Sequence, residues 1–483
     1  FKRGKVILMS DTAVQAEDLF DTVVPNGMCI GCGACAAFDP GIDVRLDESG
    51  RYVAVSSEAD FSTSSVANRV CPFSNASLDE NELSSGLFGD STPHDPYAGS
   101  YLACYAGWVA EGDYRSTGSS GGLVSWLLVE LLEQDLVDYV VHVAPRESID
   151  GEQPLFNYVI ATTASDVRKG PKSQYYPVEM SGVIGEIISR PGRYAVVGIP
   201  CFVKALRLAA RESALLDERL TFAIGLVCGH LKSTAFAELA GWESGILPTD
   251  LASIDFRTKL PDRSASSYGV TVSGSSAGES VTVTRPSAEL YGSNWGHGLF
   301  KYKACDFCDD VVGETADISI GDAWLKEYEW DSEGTNIVVV RTDSIKAVID
   351  GAVRSGRLSL EQIPIEKVQE SQAGGFRHRR DGLGYRLLLE DQAGRWRPEK
   401  RVEPSDSGLS RKFRRVLELR VKIAEKSHIA FQAAKQKQDL PGFFSEMEQL
   451  IQPYDRINRS QVRSLLGKIK RAVLFLPRKL RGS

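Results

Sequence analysis

The sequence predicts an α/β fold: a cysteine-rich N-terminal segment, a central α/β body and a basic helical C-terminal tail. Three observations predict it. Apolar runs such as "RYAVVGIPC" and "LTFAIGLVC" end at a cysteine and give way to helical spacing, the pattern of buried parallel strands followed by helices. Cysteines at 29, 32 and 35 keep a strict spacing of three. From Arg401 onward, 19 Lys and Arg face 8 Asp and Glu, so a tail of about +11 follows a body of about −19.

The chain has 483 residues, too many for one ordinary core, and its length implies about two to four units. Its 42% hydrophobic and 25% charged residues are ordinary for a soluble globular protein. No apolar run approaches the ~20 residues of a membrane span. The first residues, "FKRGKVILMS", precede neither a long apolar region nor a small-residue cleavage site, so a cytoplasmic location is expected.

In the N-terminal segment, "CIGCGAC" places Cys29, Cys32 and Cys35 in one tight loop, and "VCPFS" adds Cys71 before Pro72. Thiolates at this spacing, with a later Cys-Pro, hold a 4Fe-4S cubane in bacterial ferredoxins. Gly31 and Gly33 supply the backbone freedom for the wrap. A zinc site with four cysteine ligands is the alternative, although zinc sites usually pair two C-x-x-C knuckles.

The body opens with "YRSTGSSGGLVSWLLVELLEQDLVDYVVHV". Its periodicity predicts a helix from Leu123 to Glu133 and a strand from Val137 to Val143. The loop Ser119, Ser120, Gly121, Gly122 lies at the helix N-terminus, where unpaired N–H groups and the helix dipole suit a phosphate or carboxylate. Plain capping uses the same residues. Beside metal-binding cysteines, the phosphate of a nucleotide or flavin is the reading adopted.

Cys201 and Cys228 each stand at the end of a predicted parallel strand, the rim where open α/β sheets collect ligands. "CDFC" adds Cys305 and Cys308 just before the short strand "ADISI". Either strand-end cysteine alone reads as a small buried hydrophobe. The four together read as a second 4Fe-4S set. Cys104 has no partner left and is assigned to packing.

In order along the chain, the C-x-x-C-G-x-C triplet, Cys-Pro, "GSSGG", "KGPKSQYYPVE", "VVGIPC", "VCGH", "DFR" and "CDFCDD…ADISIGDAW" resemble the deazaflavin (coenzyme F-420) hydrogenase/dehydrogenase beta-subunit family. That family includes 7-hydroxymethyl chlorophyll a reductase. The resemblance covers about residues 20 to 345. It implies an iron–sulfur flavoprotein oxidoreductase that holds FAD in its α/β domain and exchanges electrons with a deazaflavin coenzyme, ferredoxin or a partner subunit. Ser119, Ser120, Gly121 and Gly122 match the loop expected at the flavin. Lys172 matches the family's Ser-Lys-Tyr segment loosely, since the order here is Lys-Ser-Gln-Tyr.

Arg257 and Lys259 fall on the family's Arg-x-Lys segment and are cofactor-binding candidates; a solvated pair at a strand end is the alternative. Asp322, after the "ADISI" strand, is a catalytic candidate or a turn former. His230 is a candidate proton relay, or a histidine bonded to a nearby carbonyl.

The expected organisation is an iron–sulfur, ferredoxin-like domain over 1–95, a flavin-binding α/β domain with the second cluster over 96–400, and a basic helical extension over 401–483. Residues 369–408 read as a linker with one helical piece near Leu383 to Glu390. The last stretch, "RSLLGKIKRAVLFLPRKLRGS", reads as a basic amphipathic helix for an anionic membrane surface, the alternative being a solvated helix that covers the acidic body or a partner protein. No nucleic-acid motif is present. Clusters carry single electrons and a flavin can carry two, so the expected protein converts one into the other. It does so either as a complete enzyme acting on a small organic substrate or as an electron-transfer subunit of a larger complex. The fused basic tail favours the first.

Overall fold

The computed structural model describes residues 18–57, 63–146, 154–170, 172–261 and 263–458. A hairpin of β1 (Ile42–Leu46) and β2 (Tyr52–Ser56) lies in the N-terminal segment, followed by helices Ser65–Val70 and Glu80–Phe88. The central sheet has eight strands: β3 (Ala103–Val109), β4 (Tyr139–Pro145), β5 (Phe156–Ala161), β6 (Tyr194–Gly198), β7 (Leu220–Leu226), β11 (Ile318–Asp322), β12 (Asn336–Val340) and β13 (Leu358–Ile363). Between β7 and β11 the chain builds a separate antiparallel sheet from β8 (Leu251–Thr258), β9 (Gly269–Ser276) and β10 (Glu279–Pro286).

The spatial order of the large sheet is β13-β3-β12-β11-β7-β6-β4-β5. Strands β4, β6, β7 and β11 run parallel to their neighbours in that group, and the outer pairings are antiparallel. The C-terminal ends of β6, β7 and β11 therefore open onto one rim. Both faces are covered, which explains the unbroken apolar runs of the sequence. Ala195 and Val197 share one core with Leu123, Trp126 and Ile345. Tyr194 and Val196 face the other side, where Phe202 and Leu206 join residues of the N-terminal segment in a second core.

The helix Leu123–Glu133 forms where its periodicity predicts, and the following strand begins at Tyr139. Cys201 lies in the first turn of helix Pro200–Glu212, directly after β6. Cys228 is followed by irregular residues before helix Ala235–Glu243.

The stretch expected to be a linker is largely helical and packed. Helices Ile365–Ser371 and Ala373–Phe376 lead into a π-helical turn, Arg377–Asp381, and then helix Gly382–Gln392. Its buried residues alternate irregularly because a π turn breaks the 3.6-residue period by which a helix is recognised in sequence.

Helices Arg411–Lys437 and Leu440–Asn458 pack on each other and, through Phe431, Phe443 and Met447, on Leu299 and Phe300 of the body. Ser410 caps the first by accepting from the Phe413 N–H. Pro441 sits in the first turn of the second, where a missing N–H costs little. Up to residue 458 the tail packs on the body through this apolar cluster. The amphipathic stretch expected at a membrane or partner surface begins at residue 463 and lies outside the described residues. No helix among the described residues is long and apolar enough to cross a membrane.

Candidate functional site

The N-terminal cysteines surround a cavity whose walls include Cys29, Cys32, Cys35 and Cys71 with Met28 and Phe73. Gly31 has φ +64°, and a Cβ there would stand 2.3 Å from the Tyr52 carbonyl, so the loop needs glycine at this point. Cys71 reaches the cavity as the residue ending helix Ser65–Val70. The Cys29 sulfur accepts from the Gly31 N–H at 3.4 Å and from the Ala54 N–H at 3.3 Å. Burial raises all four thiols, and Cys71 is pushed up to about 12. A dry wall with four crowded thiols and N–H groups aimed at sulfur suits a cationic iron–sulfur core, which would stabilise thiolates there.

The second set converges on the sheet rim. The Cys201 thiol is raised by burial and by the proximity of Cys308, Cys228 and Cys305, and it also senses Cys32 of the first set. Cys305 lies within a 3-10 turn, Lys303–Phe307, and Cys308 is the residue that ends it. The Cys305 sulfur accepts from the Leu231 N–H at 3.3 Å, and burial pushes its thiol up to about 12. Among the described residues no three His, Cys, Asp or Glu side chains come together as donors for one metal ion. A zinc ion draws four sulfurs to within about 4 Å of one another, given Zn–S bonds of ~2.3 Å. A cubane separates its thiolates by the width of a whole cluster, so a spacing suited to one ion does not bear on it. Cys104 is buried on β3 away from both sets, among Val311, Ile337 and Val339.

Beyond the end of β11 lies a polar cleft lined by Ser119, Ser120, Arg257, Lys259, Tyr268 and Asp322, among others. Arg257 is only 4% exposed. Its guanidinium donates to Asp322 at 2.9 Å, to the Ser119 carbonyl at 3.0 Å and to the Tyr175 hydroxyl at 3.1 Å. Its buried Nε has no partner among the described residues. Lys259 donates to the carbonyls of Arg115, Ser120 and Glu333, and burial lowers its pKa to about 8. Two cations with one carboxylate leave the lining net positive, which suits an anion such as a phosphate.

Gly121 and Gly122 do not line this cavity. A Cβ at Gly121 would stand 2.6 Å from Asn336 Oδ1 and 2.8 Å from the Gly107 carbonyl, so that glycine serves close packing of the loop on β3 and β12. The Asn336 side chain also takes the Leu123 N–H at 3.1 Å and so occupies part of the helix N-terminus. Lys172 pairs with Asp255 at 2.6 Å, and its neighbour Ser173 donates its N–H to Ser119 Oγ at 2.8 Å.

A second cavity shares Tyr268 with the first and is walled by Tyr175, Phe236, Phe256, Trp295 and Glu243. Phe236 and Phe256 stack at 5.7 Å, and Tyr175 meets Trp295 edge-on at 4.7 Å. Behind Trp295 lies His230, with ring centroids 4.6 Å apart. Its Nε2 is buried without a partner among the described residues. Burial and the nearby Lys232, Lys301, Arg420 and Arg379 hold the imidazole well below its usual pKa, hence neutral at pH 7.

Sequence reasoning missed Tyr175, Tyr268 and Trp295. Only Tyr175 left a signal, inside the motif "KSQYYPVE".

Two family models match, described as the N-terminal and the C-terminal parts of the coenzyme F420 hydrogenase/dehydrogenase beta subunit, the first over residues 104–185 and the second over residues 192–366. The chain belongs to this family. The matches span the large sheet through β13 and contain every residue named for the two cavities and all of the second cysteine set. A curated relative is a subunit of the F(420)H(2) dehydrogenase of Methanosarcina mazei, 25% identical over 221 residues, which are 43% of this chain and 54% of that protein. The chain thus spans about half the length of the curated relative it matches. A chain of the F420-reducing [NiFe] hydrogenase complex from Methanosarcina barkeri aligns at 19% identity and TM-score 0.46, over 62% of this chain and 96% of that one.

Proposed function

We propose that this protein is an iron–sulfur flavoprotein that passes electrons between a low-potential donor and a small organic substrate at FAD, through two 4Fe-4S clusters. The donor is a reduced deazaflavin coenzyme or ferredoxin. One observation carries the reading: the candidate sites form a continuous series. The cationic cavity shares Tyr268 with the aromatic cavity, whose Trp295 covers His230 beside Cys228, and Cys201 in turn senses Cys32.

Within this series each residue has a role of its own. Arg257 and Lys259 bind a flavin phosphate, while Ser119 and Ser120 shape the mouth. Tyr175, Phe256 and Trp295 would offer an apolar wall to a flat ring and exclude water from it. Asp322 orients Arg257. His230, neutral and unpartnered, accepts or passes a proton at Nε2. The eight cysteines hold the iron. A bound flavin would supply two-electron hydride chemistry and the clusters one-electron transfer. All nine cysteines are free, which fits a reducing compartment such as the cytoplasm.

The testing experiment is anaerobic reconstitution with FAD, iron and sulfide, followed by reduction with a low-potential donor. Bleaching of the flavin is expected; protein that retains no flavin contradicts the reading. A second reading, an electron-transfer beta subunit without its own organic substrate, is favoured by the likeness to a protein named as part of a dehydrogenase. Size exclusion of the protein expressed alone, with a donor-to-dye assay, separates the two.

A further inference from the structure

Arg379 stands 13 residues beyond the family match, on the π-helical turn Arg377–Asp381. It is 2% exposed. Its Nη1 lies 3.2 Å from the Cys308 sulfur, and its Nη2 donates to the Gly229 carbonyl at 2.6 Å. Nη1 also donates to the Asp310 carbonyl, and the guanidinium hydrogen-bonds Cys228. One side chain thus ties the loop after β7 to the Cys305–Cys308 turn.

Its neighbours on the turn are paired otherwise: Arg380 with Glu314 at 2.7 Å and His378 with Asp306 at 3.3 Å. Arg386, one helical stretch on, donates to the Asp306 and His378 carbonyls. Arg379 has no carboxylate in ion-pair contact among the described residues. Asp310 meets it through its backbone carbonyl rather than its carboxyl. A buried cation without an anion is costly, and the groups around it able to carry negative charge are Cys308, Cys228 and Cys305. A π turn inside a helix often marks such a functional position.

We infer that Arg379 is a positioning residue that supplies the counter-charge to the second cysteine set and raises the reduction potential of the group bound there. The inference rests on the two-cluster reading and deepens it. Reduction adds negative charge to an iron–sulfur cluster, and both a fixed cation and N–H···S bonds favour the more negative state. Because Arg379 belongs to a segment outside the family match, this device would be specific to chains carrying such a turn.

The test uses the full-length reconstituted protein and its Arg379→Gln and Arg379→Lys variants, with iron analysis and potential-controlled electron paramagnetic resonance of each cluster. Wild type is expected to hold about eight irons per chain, two cubanes' worth. Arg379→Gln is expected to shift the midpoint of the second cluster to more negative potential, with the first cluster unmoved and Arg379→Lys close to wild type. Loss of about four irons in the Gln variant alone, rescued by Lys, also supports a charge role. An unchanged midpoint in a fully loaded Gln variant overturns the inference, as does equal iron loss in both variants, which means packing only. Wild-type protein with iron for one cluster would remove the two-cluster reading itself, a failure visible before any variant is made.

Discussion

Arg257 grips Asp322 at the rim of the sheet with two bonds, Nη1 to Oδ2 at 2.9 Å and Nη2 to Oδ1 at 3.3 Å. The carboxylate offsets one of the two cations lining the polar cavity and leaves Lys259 without a carboxylate in ion-pair contact among the described residues. The two partners should therefore differ as mutants. Arg257→Gln is expected to cost about 1.5–3 kcal/mol of FAD affinity, roughly 10- to 100-fold, by loss of a charged hydrogen bond. Asp322→Asn, which removes negative charge, is expected to bind FAD at least as tightly. Fluorescence titration checks this; equal losses in both would make the pair a structural strut.

Lys259 predicts a pH dependence. Burial lowers its pKa from the ordinary 10.5 to about 8, so its charge is present at pH 7 and lost as pH rises through 8. FAD affinity is expected to fall between pH 7 and pH 9, and Lys259→Gln to be weaker at pH 7 with a flat profile. The same slope in the variant would assign the titration elsewhere. In the ligand-free protein the charged lysine costs stability in full below pH 8, and the cost shrinks as pH rises towards 10.5.

Cys32→Ala should lower the iron content by about four per chain, the stoichiometry of one cubane. Cys104→Ala should leave it unchanged, because Cys104 packs among Val311, Ile337 and Val339. Iron loss in the Cys104 variant would redraw the ligand sets.

Gly121→Ala should act on the fold before it acts on any ligand. A Cβ at 2.6 Å from Asn336 Oδ1 forces the loop off the sheet. The expected cost is about 1–3 kcal/mol, as for other overpacked sites, read as a lower midpoint of thermal unfolding. Unchanged stability with weaker FAD binding would instead place that glycine against the flavin.

The site is only partly legible in sequence, for physical reasons. Ser119, Arg257, Lys259 and Asp322 carry local signals: a loop before an amphipathic helix, or polar residues closing a strand. All four line one cavity. The cysteines are legible because spacing and strand ends place them. Tyr268 and Trp295 reach the cavities from irregular segments of 263–268 and 294–300, where no period exists to read. Arg379 is hidden more deeply, because the π turn that aims it inward breaks the helical period and leaves a Gly- and Arg-rich stretch that resembles a linker. The large sheet is legible in its apolar runs, but the antiparallel β8–β10 insert, with its alternating Thr and Ser, points to the site only through "DFR".

The most direct measurement is iron, acid-labile sulfide and flavin analysis on anaerobically purified and reconstituted protein, read with its visible spectrum. Two cubanes and one flavin predict about eight irons, about eight sulfides and about one FAD per chain, with broad absorption that bleaches on reduction. Stoichiometric zinc in place of iron, or protein free of flavin after reconstitution, would contradict it.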